Sequence, residues 1–183
     1  MLEARRRLFL GALLAAALVA PAAAEEAAIA AGFRADWLAN FDDVARKAIE
    51  LAEAIPPSAL AWRPAEGVRS CGAVIAHLAL ANYTLPSFLG APIPESVDRA
   101  LEQESDPVAL RRALADSIAH ARGVVVAMSD EDLERRVKFF GGREVTGREL
   151  LLVALGHVHE HVGQLIAYAR MNGIVPPWSA ASS

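Results

Sequence analysis

The stretch that most constrains this chain runs from Gly156 to Pro177, GHVHEHVGQLIAYARMNGIVPP, and carries three of its five histidines. The residues up to Asn172 have helical periodicity, with Val158, Val162, Leu165, Ile166 and Ala169 on one apolar face that must be buried. At about 100° per residue, His157 and His161 stand about 40° apart, so both imidazoles can reach one point in space. Gln164 and Tyr168 continue the same stripe. His159 projects to the opposite side and reads as a surface residue. The last helix therefore sets two histidines at the border of a core.

The first 24 residues stand apart from the fold. Arg5 to Arg7 form a positive cluster, Leu8 to Val19 an apolar run, and Ala22 to Ala24 supply small residues at a cleavage position. Residues 1–24 read as an export signal, and Arg6-Arg7-Leu8-Phe9-Leu10 matches the core of a twin-arginine signal. The expected location is the periplasm or outside the cell. The chain has 18 basic and 22 acidic side chains, of which this segment holds three arginines and one glutamate, so the remainder carries a net charge near −6. That sign disfavours nucleic-acid binding. No apolar stretch of spanning length is read beyond the signal, so no membrane anchoring is expected after its removal. The single cysteine, Cys71, excludes an intramolecular disulfide and a cysteine-rich zinc site, and reads as a buried hydrophobe rather than a reactive thiol.

Between signal and tail, residues 25–178 read as one domain and residues 179–183 as a loose end. A long helix is expected from Glu25 to about Ile55, stopped by Pro56-Pro57, with Phe33, Trp37, Phe41, Val44, Ala48 and Leu51 at helical spacing. Trp62, in the loop that follows, is expected to pack on the end of the bundle. Ser70 is the expected N-cap of a second helix reaching about Phe88, with His77 at its middle between the small residues Ala73 and Ala81. A linker from Leu89 to Ser105, with a helical turn around Val97 to Leu101, leads to Asp106-Pro107. That pair opens a third helix to about Met128. A turn at Ser129–Asp132 and a two-stranded excursion around Gly141-Gly142 precede Thr146 and Glu149, a capping box for the last helix, which Gly173 ends. Four amphipathic segments predict an all-α four-helix bundle, and the linker is long enough to cross over between helices 2 and 3.

From spacing alone, His157 and His161 are either metal ligands or partly buried histidines satisfied by hydrogen bonds. His77 and His120 compete as a third ligand. Three imidazoles would leave an open coordination position, which favours catalysis by a bound water or thiolate. Gln164 is placed to orient a ligand, and Tyr168 to act as a donor near the same face.

The order Arg63-Pro64-Ala65-Glu66-Gly67, Ser70, Ala76-His77-Leu78 and the closing His157-x-x-x-His161-x-Gly163-Gln164-Leu165-x-x-Tyr168-x-Arg170-x-x-Gly173-x-x-Pro176-Pro177 resembles the DinB-like family. The resemblance implies a four-helix bundle with one histidine from the second helix and two from the fourth on one divalent ion, here His77, His157 and His161. The metal would be zinc, nickel, iron or manganese. It further implies a metal-dependent hydrolase, or a transferase of a low-molecular-weight thiol, acting on a small molecule. A non-catalytic metal-binding or structural bundle is the alternative, and a homodimer is left open. The signal sets this chain apart from the mostly cytoplasmic members.

Overall fold

The computed structural model describes residues 31–180. The expected export signal, residues 1–24, and the end of the expected tail lie outside them. Four long helices build the molecule: α1 (Phe33–Ala54), α2 (Cys71–Ser87), α3 (Pro107–Ala127) and, after a short helix α4 (Asp130–Glu134) and a two-stranded hairpin, α5 (Gly147–Met171). A short α6 (Pro177–Ala180) takes in the first two residues expected to be loose. The bundle is therefore all-α, as the periodicity predicts.

The helix ends follow their local chemistry. The Ser70 hydroxyl accepts from Ala73 N, Asp106 from Val108 N and Ala109 N with Pro107 at the first position, and Thr146 and Glu149 close a reciprocal capping box. Two boundaries differ from expectation. At Gly32, φ is 99° and ψ −173°, a backbone region open to glycine, so α1 starts at Phe33; residues 25–30 of the expected helix lie outside the described residues. Ser129–Asp132 is not a simple turn: Ser129 and Asp132 form a second capping box that starts α4.

Side-chain contacts give the direction of each helix. Trp37 Nε1 donates to Leu151 O at 2.8 Å, tying the N-terminal thirds of α1 and α5 together, so these two run parallel. Arg122 pairs with Asp42 and Arg111 Nε reaches Ala52 O, so α3 is antiparallel to α1. Asn82 donates to Ser117 at 3.1 Å, and a methyl of Leu110 stands beside Gly72, which makes α2 and α3 parallel neighbours. α1 packs on α3 and α5, and α2 packs on the same two. Because α2 and α3 are parallel, the chain from Phe88 to Asp106 must travel back along the bundle. This is the expected crossover, and its 3₁₀ turn at Leu101–Gln103 lies against α2.

The core is filled by Phe41, Leu51, Ile75, Leu78, Leu110, Leu114, Leu150 and Leu165, all buried, of which Phe41, Leu51 and Leu165 stand on the apolar faces named from the spacing. By length and composition, α5 is apolar enough to cross a membrane, against the expectation of no such stretch beyond the signal. Its apolar face is instead taken up by α1 and α2. The hairpin pairs β1 (Arg136–Lys138) with β2 (Glu144–Thr146) through a tip where Gly141 and Gly142 have φ of 69° and 78°. Gly147 opens α5 against the Asp132 carbonyl, where an added Cβ would clash with backbone. The hairpin and α5 are thus locked to α4.

Candidate metal centre

His77 sits mid-way along α2, and His157 and His161 one turn apart on α5, which runs antiparallel to α2 beside it. The three rings meet edge to face, with centroids 4.4 Å (His157 to His161), 4.7 Å (His77 to His161) and 5.2 Å (His77 to His157) apart. One nitrogen from each lies within 4.8 Å of the other two. The small residues on the His77 stripe leave room for this approach: Ala81 is buried and Ala73 half-buried.

The hydrogen bonds fix which nitrogens face inward. His161 Nδ1 lies 2.8 Å from Gln164 Oε1, and because that amide oxygen only accepts, Nδ1 carries the proton. Gln164 Nε2 in turn donates to the Tyr168 hydroxyl at 2.8 Å, and Tyr168 packs edge-on against Trp62 at 5.3 Å. On the other side, His77 Nδ1 lies 2.9 Å from Glu102 Oε1, with Arg69 Nη2 3.4 Å from the same oxygen. Glu102 is held ionised. Burial alone would raise its pKa, but the His77 hydrogen bond and the Arg69 charge together pull it below the usual range. An ionised carboxylate accepts, so His77 Nδ1 also carries its proton. Both Nε2 lone pairs are then free.

His157 differs from the other two. Its Nε2 is buried and has no hydrogen-bond partner. Burial, with the adjacent His161 and His77 rings, pushes its pKa down to about 4. Burial also lowers that of His77, partly offset by Glu102. Two of the imidazoles are therefore held in the neutral form that binds metals. The arrangement fits a small cation: an orphaned buried nitrogen, two others with their outer nitrogens occupied, and no thiolate in the set.

The remaining sequence candidates sort clearly. His120 packs on Tyr83 at 4.8 Å and stands outside the triad; its Nε2 is also buried without a partner, but among the described residues it joins no group of three possible ligands. His159 is exposed. Cys71 is buried, and burial raises its thiol pKa, as a core residue requires. Gln164 is in its expected place, and Tyr168 reaches the triad through Gln164. Glu102 and Arg69 were not found from sequence. Glu102 lies 25 residues from His77 in a linker, and no local spacing marks it.

On its open side the triad borders a pocket of about 480 Å³ that His77 and His157 help to line.

Comparisons with known proteins agree with this architecture. Over 128 residues the chain is 27% identical to the uncharacterized protein YjoA of Bacillus subtilis (strain 168), covering 68% of this chain and 80% of the relative. The crystal structure of that DinB-like protein superposes with a TM-score of 0.61 at 24% identity, covering 75% of this chain and 92% of the other. A DinB-like protein from Bacillus cereus ATCC 10987 superposes with a TM-score of 0.68 at 19% identity, over 77% and 93% of the two chains. A mycothiol-dependent maleylpyruvate isomerase shares the fold with a TM-score of 0.56 at 20% identity, over 72% of this chain and 60% of that one. With the DinB superfamily's sequence profile matching residues 40–165, more than half of its length, the chain belongs to the DinB superfamily.

Proposed function

We propose that this chain is an exported, metal-dependent enzyme acting on a small molecule, with one divalent transition metal held by His77, His157 and His161. The observation that carries the reading is the meeting of three imidazoles around the partnerless, buried Nε2 of His157, at the border of a pocket. His77, His157 and His161 would hold a divalent ion, which would supply Lewis acidity to lower the pKa of a water or thiol. The chain's own residues do the rest. Glu102 and Gln164 hold His77 and His161 with their Nε2 atoms inward. Tyr168 acts as a positioning residue that anchors the Gln164 amide. Three protein nitrogens leave room for a ligand from the pocket side.

The reaction is hydrolysis or thiol transfer. A mycothiol-dependent isomerase on the same fold supports including the thiol arm, although a shared fold does not determine chemistry. The N-terminal basic and apolar pattern supports export, and the acidic balance supports a small-molecule rather than a nucleic-acid partner.

Elemental analysis tests the centre. The untagged full chain should carry about one equivalent of a single transition metal, lost in His157→Ala and His161→Ala while the helical circular-dichroism spectrum is kept. A wild-type chain without metal after reconstitution would overturn the reading. Cell fractionation tests export, which recovery in the cytoplasm alone would refute.

A further inference from the structure

The pocket beside the triad has a character of its own. Its walls include Leu80, Leu85 and Val153 from the bundle and Phe139 and Phe140 from the hairpin, and no Lys, Arg, Asp or Glu is among its described lining residues. Thr84, also in the wall, has its hydroxyl hydrogen committed to Leu80 O at 2.9 Å. Thr84 can then only accept, and the imidazoles of His77 and His157 are the remaining polar side chains left to meet an occupant. The volume, about 480 Å³, falls in the range of small-molecule sites.

The hairpin is built to hold aromatic rings at this place. Phe139 and Phe140 lie 4.7 Å apart, and both pack edge-on against Phe88, at 5.1 Å and 4.8 Å. The left-handed Gly141 and Gly142 close the tip just behind them, with Gly142 N on Phe139 O at 3.0 Å. Phe140 nonetheless stays 60% exposed. An exposed phenylalanine on an ordered tip, forming one wall of an apolar pocket, leaves apolar surface for a ligand to cover.

We propose that this pocket binds the uncharged, apolar body of a small molecule, aromatic or branched aliphatic, whose single polar group faces His77 and His157. In the metal-free protein the Phe139–Phe140 tip selects for that body and against anionic ones, which would lose hydration here with no charged side chain among the described lining residues to compensate. Only the role of the polar group rests on the metal reading; the binding of the body does not require an ion.

The test uses the neutral fluorophore N-phenyl-1-naphthylamine on the full chain, metal-free and reconstituted. The wild type should bind it in both forms, at least about tenfold more tightly than 1-naphthoate in the metal-free form. Phe140→Asp, at an exposed position that spares folding, should weaken binding about tenfold or more, and Phe140→Trp should retain it. His161→Ala should keep the fluorophore. Absence of binding to the wild type, equal affinity for the naphthoate, or no effect of Phe140→Asp would overturn the proposal. So would a wild-type dimer in sedimentation that Phe140→Asp splits, since the patch would then be a self-association surface. Metal content is read on the same samples: fluorophore binding without metal refutes the centre alone, and metal without fluorophore binding refutes the pocket alone.

Discussion

The two flanks of the histidine triad are supported in different ways. His161 is 8% exposed and is held by Gln164 and Tyr168, three and seven residues further along its own helix. His77 is held by Glu102 from the crossover linker, an acid 38% exposed at its side chain, which also touches Arg69. One flank is local and buried, the other distant and wet. Like imidazoles in one cluster thus have unlike supports. Water competes for the Glu102 bond far more than for the Gln164 bond, so the buried flank should dominate rigidity and the exposed flank should act mainly through charge.

The largest effects should not distinguish the flanks. His77→Ala and His161→Ala each remove one of three nitrogens, and each should lose stoichiometric metal in elemental analysis. A His77→Ala variant that keeps wild-type metal would show that the exposed flank is not part of the centre.

The supports should separate them. Gln164→Ala leaves the His161 Nδ1–H and the Tyr168 hydroxyl without their partner beside the core. It should lower metal affinity about 10- to 100-fold and cost the metal-free protein about 1–3 kcal/mol in denaturant unfolding. Glu102→Ala should lower metal affinity by about tenfold or less and leave metal-free stability within about 0.5 kcal/mol. Equal stability losses would mean that exposure has been a poor guide.

How much of this was legible in the sequence follows the same division. The α5 pattern of His157, His161, Gln164 and Tyr168 is a helical stripe, and a stripe of 3.6-residue period is read directly from one segment. The caps at Ser70, Asp106 and Thr146 were legible for the same reason, since each partner lies two or three residues away. Glu102 was not, because its place depends on the path of the linker. Only the parallel pairing of α2 with α3 forces that linker back along the bundle, where the Leu101–Gln103 turn brings the carboxylate to His77. Likewise, Phe139 and Phe140 read only as part of a weak hairpin. Their meeting with Phe88 from the end of α2 is a tertiary event that no local period encodes.

Acid should sharpen the contrast between the histidines themselves. His157 is held neutral in the fold down to about pH 4, whereas in the unfolded chain it takes up its proton near 6.5. Between those values the unfolded state binds more protons, so metal-free stability should fall as pH is lowered, beginning near pH 6.5. The loss from His157, still partly hydrated, is on the order of 2 kcal/mol. Denaturant melts of the metal-free wild type and His157→Gln at pH 7 and pH 5 would measure it. The wild type should lose more than the variant. An equal loss in both would place the acid sensitivity outside the triad.

The smallest effect should come from Arg69, and its sign is the finer test. The guanidinium shares Glu102 Oε1 with His77, at 3.4 Å against 2.9 Å, so it helps keep the carboxylate ionised. It is also a positive charge near the proposed cation site, and its field lowers the pKa of both His77 and His157. Arg69→Ala thus removes a repulsion on the ion and a support on the acid, two exposed effects of opposite sign. Metal affinity should change by less than about threefold, and 0.5 M salt should shrink even that difference. If Arg69→Ala instead cost as much affinity as Gln164→Ala, then Arg69, Glu102 and His77 would work as a single ordered network. The wet flank would then be as firmly built as the buried one, despite its exposure.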